Sequence, residues 1–256
     1  MTEADEYSYG TPCWVDTWQP DVGAARDFYG ALFGWQFDEL PLAGAETYLS
    51  ASLGGRTVAG IGPAPAGSPA VWTVLIRVER IEPAVERLAR AGGRQLLGGI
   101  DVSGEGRMAI VADSTGVAFG IWESGRRTGA QVRGVANSWA MSALHTKALG
   151  ESERFYGEAF GWELVRHGGS PLCEWRLGAR TIGVATATDG RSVPAHWAIN
   201  FTVADVDGFA DRARSLGARL VIAPMDTPGF RNAVISDPQG AVFAVSAARA
   251  RGTDVR

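Results

Sequence analysis

The apolar positions of this chain fall into short runs that switch between two periods. Residues 11–18, TPCWVDTW, are rich in aromatic and branched side chains and predict a β-strand. Pro20 breaks it. Val22, Ala25, Phe28, Tyr29, Leu32 and Phe33 then recur at helical spacing and predict a helix over 21–33. Gly34 closes that helix as a left-handed cap would. Strand signals follow at 35–37, 47–53 and 57–61, the last two joined by a Gly54-Gly55 hairpin turn. The order is β-α-β-β-β. The stretch PAPAGSP, 63–69, has no face to bury and reads as a connector. The same order then returns, with a strand at 71–78, a helix at 82–91 and strands at 94–97, 107–112 and 118–123. It returns twice more: 136–144, helix 151–160, then 162–165, 172–177 and 181–186; and 196–203, helix 206–216, then 219–222, 231–236 and 242–246.

The echo extends to particular residues. FYGALFGW at 28–35 returns as FYGEAFGW at 155–162. GRTV at 55–58 returns as ARTI at 179–182, Trp72 as Trp197, and DSTG at 113–116 as DPQG at 237–240. The offset shrinks between Trp35 and Arg56, so the connection there is shorter in the second copy. The period is too long for a solenoid and fits a tandem duplication of one domain. The expected domains are 10–124, with modules 11–62 and 71–123, and 136–248, with modules 136–187 and 195–247. Residues 125–135 read as the linker and 249–256 as a frayed tail.

Composition narrows the function. With 46% hydrophobic residues in 256, each half has enough apolar side chains for a core. A net charge of −4 without a basic cluster argues against a nucleic-acid partner. Apolar runs are strand-length, so no membrane span is expected, and the acidic N-terminus is unlike a signal peptide. A cytoplasmic location is expected, as a monomer or homodimer. Cys13 and Cys173 do not occupy matching repeat positions and read as buried free thiols. Nine tryptophans supply core and inter-domain packing, or the walls of a ligand cavity.

With four βαβββ modules, the FYGxxFGW helix end, the GGRTVAG hairpin and the D-x-x-G turns, residues 10–248 resemble the vicinal oxygen chelate superfamily. That superfamily includes glyoxalases, bleomycin-resistance proteins and extradiol dioxygenases. The resemblance implies an α+β fold of two tandem glyoxalase/bleomycin-resistance-like domains with cupped mixed sheets. Metal-using members line the cup with His and Glu or Gln, whose imidazole nitrogen and oxygen donors hold a divalent ion. The matching positions here are Pro12, Trp14, Thr73 and Gly120 in the first half, and Trp139, Met141, Ala198 and Ala244 in the second. None is His or a carboxylate. The neighbours of that kind, His196 and Glu123, lie in different halves. The three histidines, His145, His167 and His196, show no metal-pair spacing. No bound metal and no cofactor is expected.

Alternation along 11–18 places Pro12, Trp14, Asp16 and Trp18 on one face, two indoles around a carboxylate. Trp122 is expected to join that cup. Trp139, Met141, His145 and Asn200 are expected to line the second. Three side chains are candidates for proton transfer. Asp16 is a desolvated base or a rim carboxylate. Glu174 is a cup residue or a solvent-facing partner of Arg176. His145 is a proton shuttle or a residue near a helix start. The leading reading is metal-independent binding of an aromatic or polycyclic small molecule in a Trp-lined cavity, as a resistance or natural-product biosynthetic accessory. The alternative is a cofactor-independent lyase, isomerase or hydroxylase-type enzyme using Asp16, Glu174 or His145. A divalent-metal glyoxalase or dioxygenase ranks third.

Overall fold

Each half of the chain builds one curled, eight-stranded mixed sheet. The computed structural model describes residues 7–42 and 46–249; most of the expected tail and of the acidic N-terminus lies outside these. The first half runs β1 (Pro12–Gln19), α1 (Val22–Phe33), β2 (Gln36–Pro41), β3 (Thr47–Leu53), β4 (Arg56–Pro63), β5 (Val71–Val78), α2 (Ile81–Arg90), β6 (Arg94–Asp101), β7 (Gly106–Ala112) and β8 (Ala118–Ser124). The second runs β9 (Ser138–Thr146), α3 (Leu149–Phe160), β10 (Glu163–Arg166), β11 (Leu172–Leu177), β12 (Arg180–Ala187), β13 (His196–Thr202), α4 (Val206–Ser215), β14 (Arg219–Thr227), β15 (Phe230–Ser236) and β16 (Val242–Ala248). The sheet orders are β2-β3-β4-β1-β5-β8-β7-β6 and β10-β11-β12-β9-β13-β16-β15-β14. The two modules of a half join through antiparallel pairs of their opening strands, β1 with β5 and β9 with β13. These are the two tandem domains that the repeat implies, with the curled mixed sheets that the resemblance leads one to expect.

Local chemistry explains the element ends. Asp21 caps α1, its carboxylate accepting from the Ala24 N–H at 2.9 Å. Gly34 and Gly161 end α1 and α3 with φ of 74° and 73°, which a side chain would resist. The edge strands β6 and β14 run well past the expected 94–97 and 219–222. Both are broken by bulges and mostly exposed, so their apolar signal stops while their pairing to β7 and β15 continues. Among the described residues no helix is long and apolar enough to cross a membrane. Cys13 and Cys173 are buried and free.

The helix-bearing faces of the two sheets meet in one shared core, and the repeated octapeptide joins them. The Tyr29 hydroxyl donates to the Asp237 carboxylate at 2.7 Å and accepts from the Trp72 indole N–H at 2.9 Å. In the other direction, the Tyr156 hydroxyl donates to Asp113 at 3.2 Å and accepts from Trp197 at 2.9 Å. Both carboxylates belong to the D-x-x-G turns. Asp237 also accepts from the backbone N–H groups of Gln239 and Ala241 and from the Gln19 amide. The closing tryptophans cross as well, Trp35 donating to the Asn137 carbonyl at 2.8 Å and Trp162 to the Gly10 carbonyl at 2.7 Å. Around these bonds, Phe33 packs on Phe201 and Phe209, and Phe119 packs on Tyr156 and Phe160.

Removing a buried hydroxyl from such a chain strands its neighbours without water to replace it. Tyr29→Phe leaves the Trp72 N–H unpaired and removes one donor from Asp237. It is expected to cost about 1–3 kcal/mol in urea unfolding, with a similar loss for Tyr156→Phe. Unchanged midpoints in both variants would show that the crossing bonds do not hold the halves together.

Candidate functional site

Paired residues on neighbouring strands share a face, so the register fixes which side chains enter each cup. Trp14, Asp16 and Trp18 pair with Leu75, Thr73 and Val71 and lie on the helix-free face of the first sheet. Pro12 does not join them. A bulge between Pro12 and Trp14 pairs Pro12 with Ile76 and turns it to the helix side. The same irregularity in β9 pairs Trp139 with Phe201 while Met141 pairs with Asn200. Trp139 is therefore buried on the helix-bearing face, its N–H donating to the Ser142 hydroxyl, and it does not line the second cup with Met141.

The first cup is filled largely by its own side chains. Trp14 is buried and donates to the Tyr48 hydroxyl at 2.9 Å. Trp122 is buried and donates to the Arg127 carbonyl at 3.0 Å. The Arg127 guanidinium lies 4.5 Å from the Trp14 ring centre, donates to the Ser50 hydroxyl at 2.9 Å and pairs with Glu105. Two glycines make this filling possible. A Cβ on Gly60 would lie 1.7 Å from the Tyr48 hydroxyl, and one on Gly106 2.3 Å from the Trp122 ring. Tyr48 and Arg127 carry no motif. Tyr48 is an ordinary strand residue by its surroundings, and Arg127 sits in the arginine- and glycine-rich stretch that reads as a solvated linker.

Asp16 is enclosed in this cluster with no exposed surface. One carboxylate oxygen accepts a long 3.4 Å bond from Tyr48; the other has no hydrogen-bond partner among the described residues. Burial pushes its pKa up to about 7, against the opposing influence of Trp18, Tyr48 and Arg127. The Trp18 N–H favours the charged form without completing a hydrogen bond.

A sizeable space lies beside this cluster, where the two halves meet. A cavity of about 790 Å³ is walled by Trp18, Thr73, Leu97 and Ile110 from the first half and by His196 and Val242 from the second. Trp72 and Trp197, which occupy matching repeat positions, both reach it, as do Gly116 and Gly240. The connector Ala64–Ala70 covers part of one side. Its size suits a drug-sized organic ligand. A separate cleft of about 160 Å³, lined by Glu105, Arg126 and Arg127, is too small for a polycyclic molecule.

The remaining candidates lie on the second sheet. His145 is in β9 and does not cap α3; its ring stacks on His196 with centroids 4.8 Å apart and planes 7° from parallel. Burial, with the neighbouring His196 second, lowers its pKa to about 4, so it is neutral near pH 7. Glu174 is held by Arg176 at 2.9 Å and His167 at 3.1 Å, and the Arg176 hydrogen bond holds its carboxyl below the usual range. Met141 is exposed, and Asn200 donates to the Ser246 hydroxyl at 3.0 Å. Asp16, Glu174 and His145 thus sit in three different surroundings and do not form one proton-transfer set.

Among the described residues the inner faces bring together no three-ligand set for a divalent ion. The inner-face positions that match the superfamily's ligand positions carry Trp14, Thr73 and Gly120 in one sheet and Met141, Ala198 and Ala244 in the other, while Asp16 lies in the first sheet and His145 and His196 in the second. Glu123 turns to the helix side, where it accepts from the Ile81 N–H at the start of α2. Among the described residues no cluster of three His, Cys, Asp or Glu side chains is placed to hold a metal.

The chain is similar to known proteins over nearly its whole length. Residues 141–246 match a family described as "Glyoxalase-like domain". "Putative glyoxylase CFP32" of Mycobacterium tuberculosis is 34% identical, covering 96% of this chain and 97% of its own. "Anthracycline biosynthesis protein DnrV" of Streptomyces peucetius is also 34% identical, covering 93% and 94%. The crystal structure of the Mn(II)-bound glyoxalase from Novosphingobium aromaticivorans shares the fold with a TM-score of 0.65 at 16% identity, covering 93% of this chain and 82% of that one. Fold, repeat and full-length relatives agree that the chain belongs to the glyoxalase-like family of the vicinal oxygen chelate superfamily.

Proposed function

We propose that this protein binds a flat aromatic or polycyclic small molecule between its two halves, without a metal ion, as an accessory in natural-product biosynthesis or resistance. The observation that carries this reading is the cavity of about 790 Å³ with Trp18, Leu97, Ile110 and Trp72 in its walls. Apolar and aromatic walls with a few polar groups favour a flat organic ligand. The resemblance to an anthracycline biosynthesis protein over 93% of the chain supports the same class of ligand. Fold alone does not select a reaction. The absence of a fitting donor set weighs against the metal chemistry of a glyoxalase or dioxygenase.

Titration of the protein's Trp fluorescence with 1,2-dihydroxyanthraquinone tests the reading. Saturable quenching is expected, weakened about tenfold or more by Trp18→Ala, which removes the ring on the first-half wall. Absence of quenching, or the same affinity in the variant, would contradict it.

Asp16 favours a second reading, a metal-free proton transfer by a carboxyl that lies beside the cavity, behind its lining. Asp16 pairs with the cavity residue Thr73, and its carboxyl titrates near neutrality. Glu174, held in ion pairs below the usual carboxylate range, is a poor proton acceptor by comparison.

The Asp16 shift carries a sign that stability measurements can read. The folded protein holds the Asp16 proton up to about pH 7, whereas the unfolded chain releases it near 3.8. Stability therefore falls as pH rises between those values and levels off above. Relative to Asp16→Asn, the wild type is expected to lose roughly 3 kcal/mol between pH 5 and 8. Parallel pH profiles of unfolding would show that this carboxyl titrates normally.

A further inference from the structure

We propose that His196 is the polar reader of the central cavity, accepting a hydrogen bond from a phenolic hydroxyl of an uncharged planar ligand. This rests on the binding reading above and names the ligand chemistry it selects.

The walls of the cavity carry no Lys, Arg, Asp or Glu side chain among the described residues, so nothing there neutralises a charged ligand. The polar side chains are Ser68, Thr73 and His196. His196 is distinguished by its fixed tautomer. Its Nδ1 lies 2.7 Å from the Pro194 carbonyl oxygen, which only accepts, so Nδ1 carries the proton. In the neutral ring, Nε2 is then the atom with a free lone pair. The parallel His145 ring fixes the plane of His196 from behind and is itself uncharged near pH 7. Trp18, from the first half, offers a flat aromatic wall in the same cavity. A planar ring system that meets Trp18 and presents a hydroxyl at its edge satisfies both walls.

The divergence of the repeat points to the same place. His196 stands where the first half has Val71, and His145 stands where it has Trp18. Both substitutions put imidazoles on adjoining inner-face positions of β9 and β13, where they form a direct pair. Of this pair, His196 lines the cavity.

The test, run at a pH below the first ionisation of the probe so that it is uncharged, compares 1,2-dihydroxyanthraquinone with its dimethyl ether, which keeps the ring and oxygen positions but removes both donors. Affinities are read by Trp fluorescence, and the dye's visible band is recorded when bound. The wild type is expected to prefer the dihydroxy compound about tenfold and to shift its band to the red, as hydrogen bonding to a base does. His196→Ala should abolish both the preference and the shift. His196→Gln, which retains an acceptor oxygen, should restore part of the preference. If both compounds bind equally well, or the preference survives His196→Ala, this inference fails and the binding reading stands. If neither compound binds, both fail.

Discussion

A tyrosine hydroxyl held between an indole N–H and a carboxylate, made twice in opposite directions, is the constraint on which this structure depends. Tyr29 reaches Asp237 and Tyr156 reaches Asp113, each bond crossing from one half to the other. Both hydroxyls are buried, and burial with the adjoining carboxylate pushes their pKa values far up, so each remains a neutral donor. The carboxylates in turn hold the turns that lead into β8 and β16. Because Trp72 and Trp197 bond the same hydroxyls, the opening ends of β5 and β13 are fixed side by side. The central cavity is the space left around those ends.

The duplication preserves this clasp and abandons symmetry on the inner faces. The first cup holds Trp14, Asp16, Tyr48 and Trp122 with Arg127 among them. The corresponding positions in the second sheet include Met141, Ala143 and Ser246, and Val184 replaces the Gly60 that makes room for Tyr48. One cup is thereby packed with aromatic side chains, and the other presents an exposed methionine. An apolar ligand in the central cavity would therefore meet unlike walls, an indole from one half and an imidazole from the other.

Much of the scaffold was legible before any coordinates. Helical spacing marked α1, its cap at Gly34 and its return at Gly161, and the repeated Asp and Gly marked the turns. The two faces of β1 and β9 were less so, since a period of two carries no sign of a bulge. Pro12 and Trp139 were expected in the cups and lie on the helix side for that reason. Arg127 was hidden by composition: a run of arginine and glycine reads as solvent-exposed, yet this one guanidinium is buried against Trp14. His196 carried no signal beyond its failure to make a metal pair, because its significance depends on His145 and on the opposite domain. Neither relation is local in sequence.

A crystal structure of the complex with 1,2-dihydroxyanthraquinone tests the central claim most directly. The account predicts one molecule per chain between the halves, its ring against Trp18 and a hydroxyl within hydrogen-bond distance of His196 Nε2. Electron density in the second cup against Met141 and Asn200, with the central cavity empty, would contradict it.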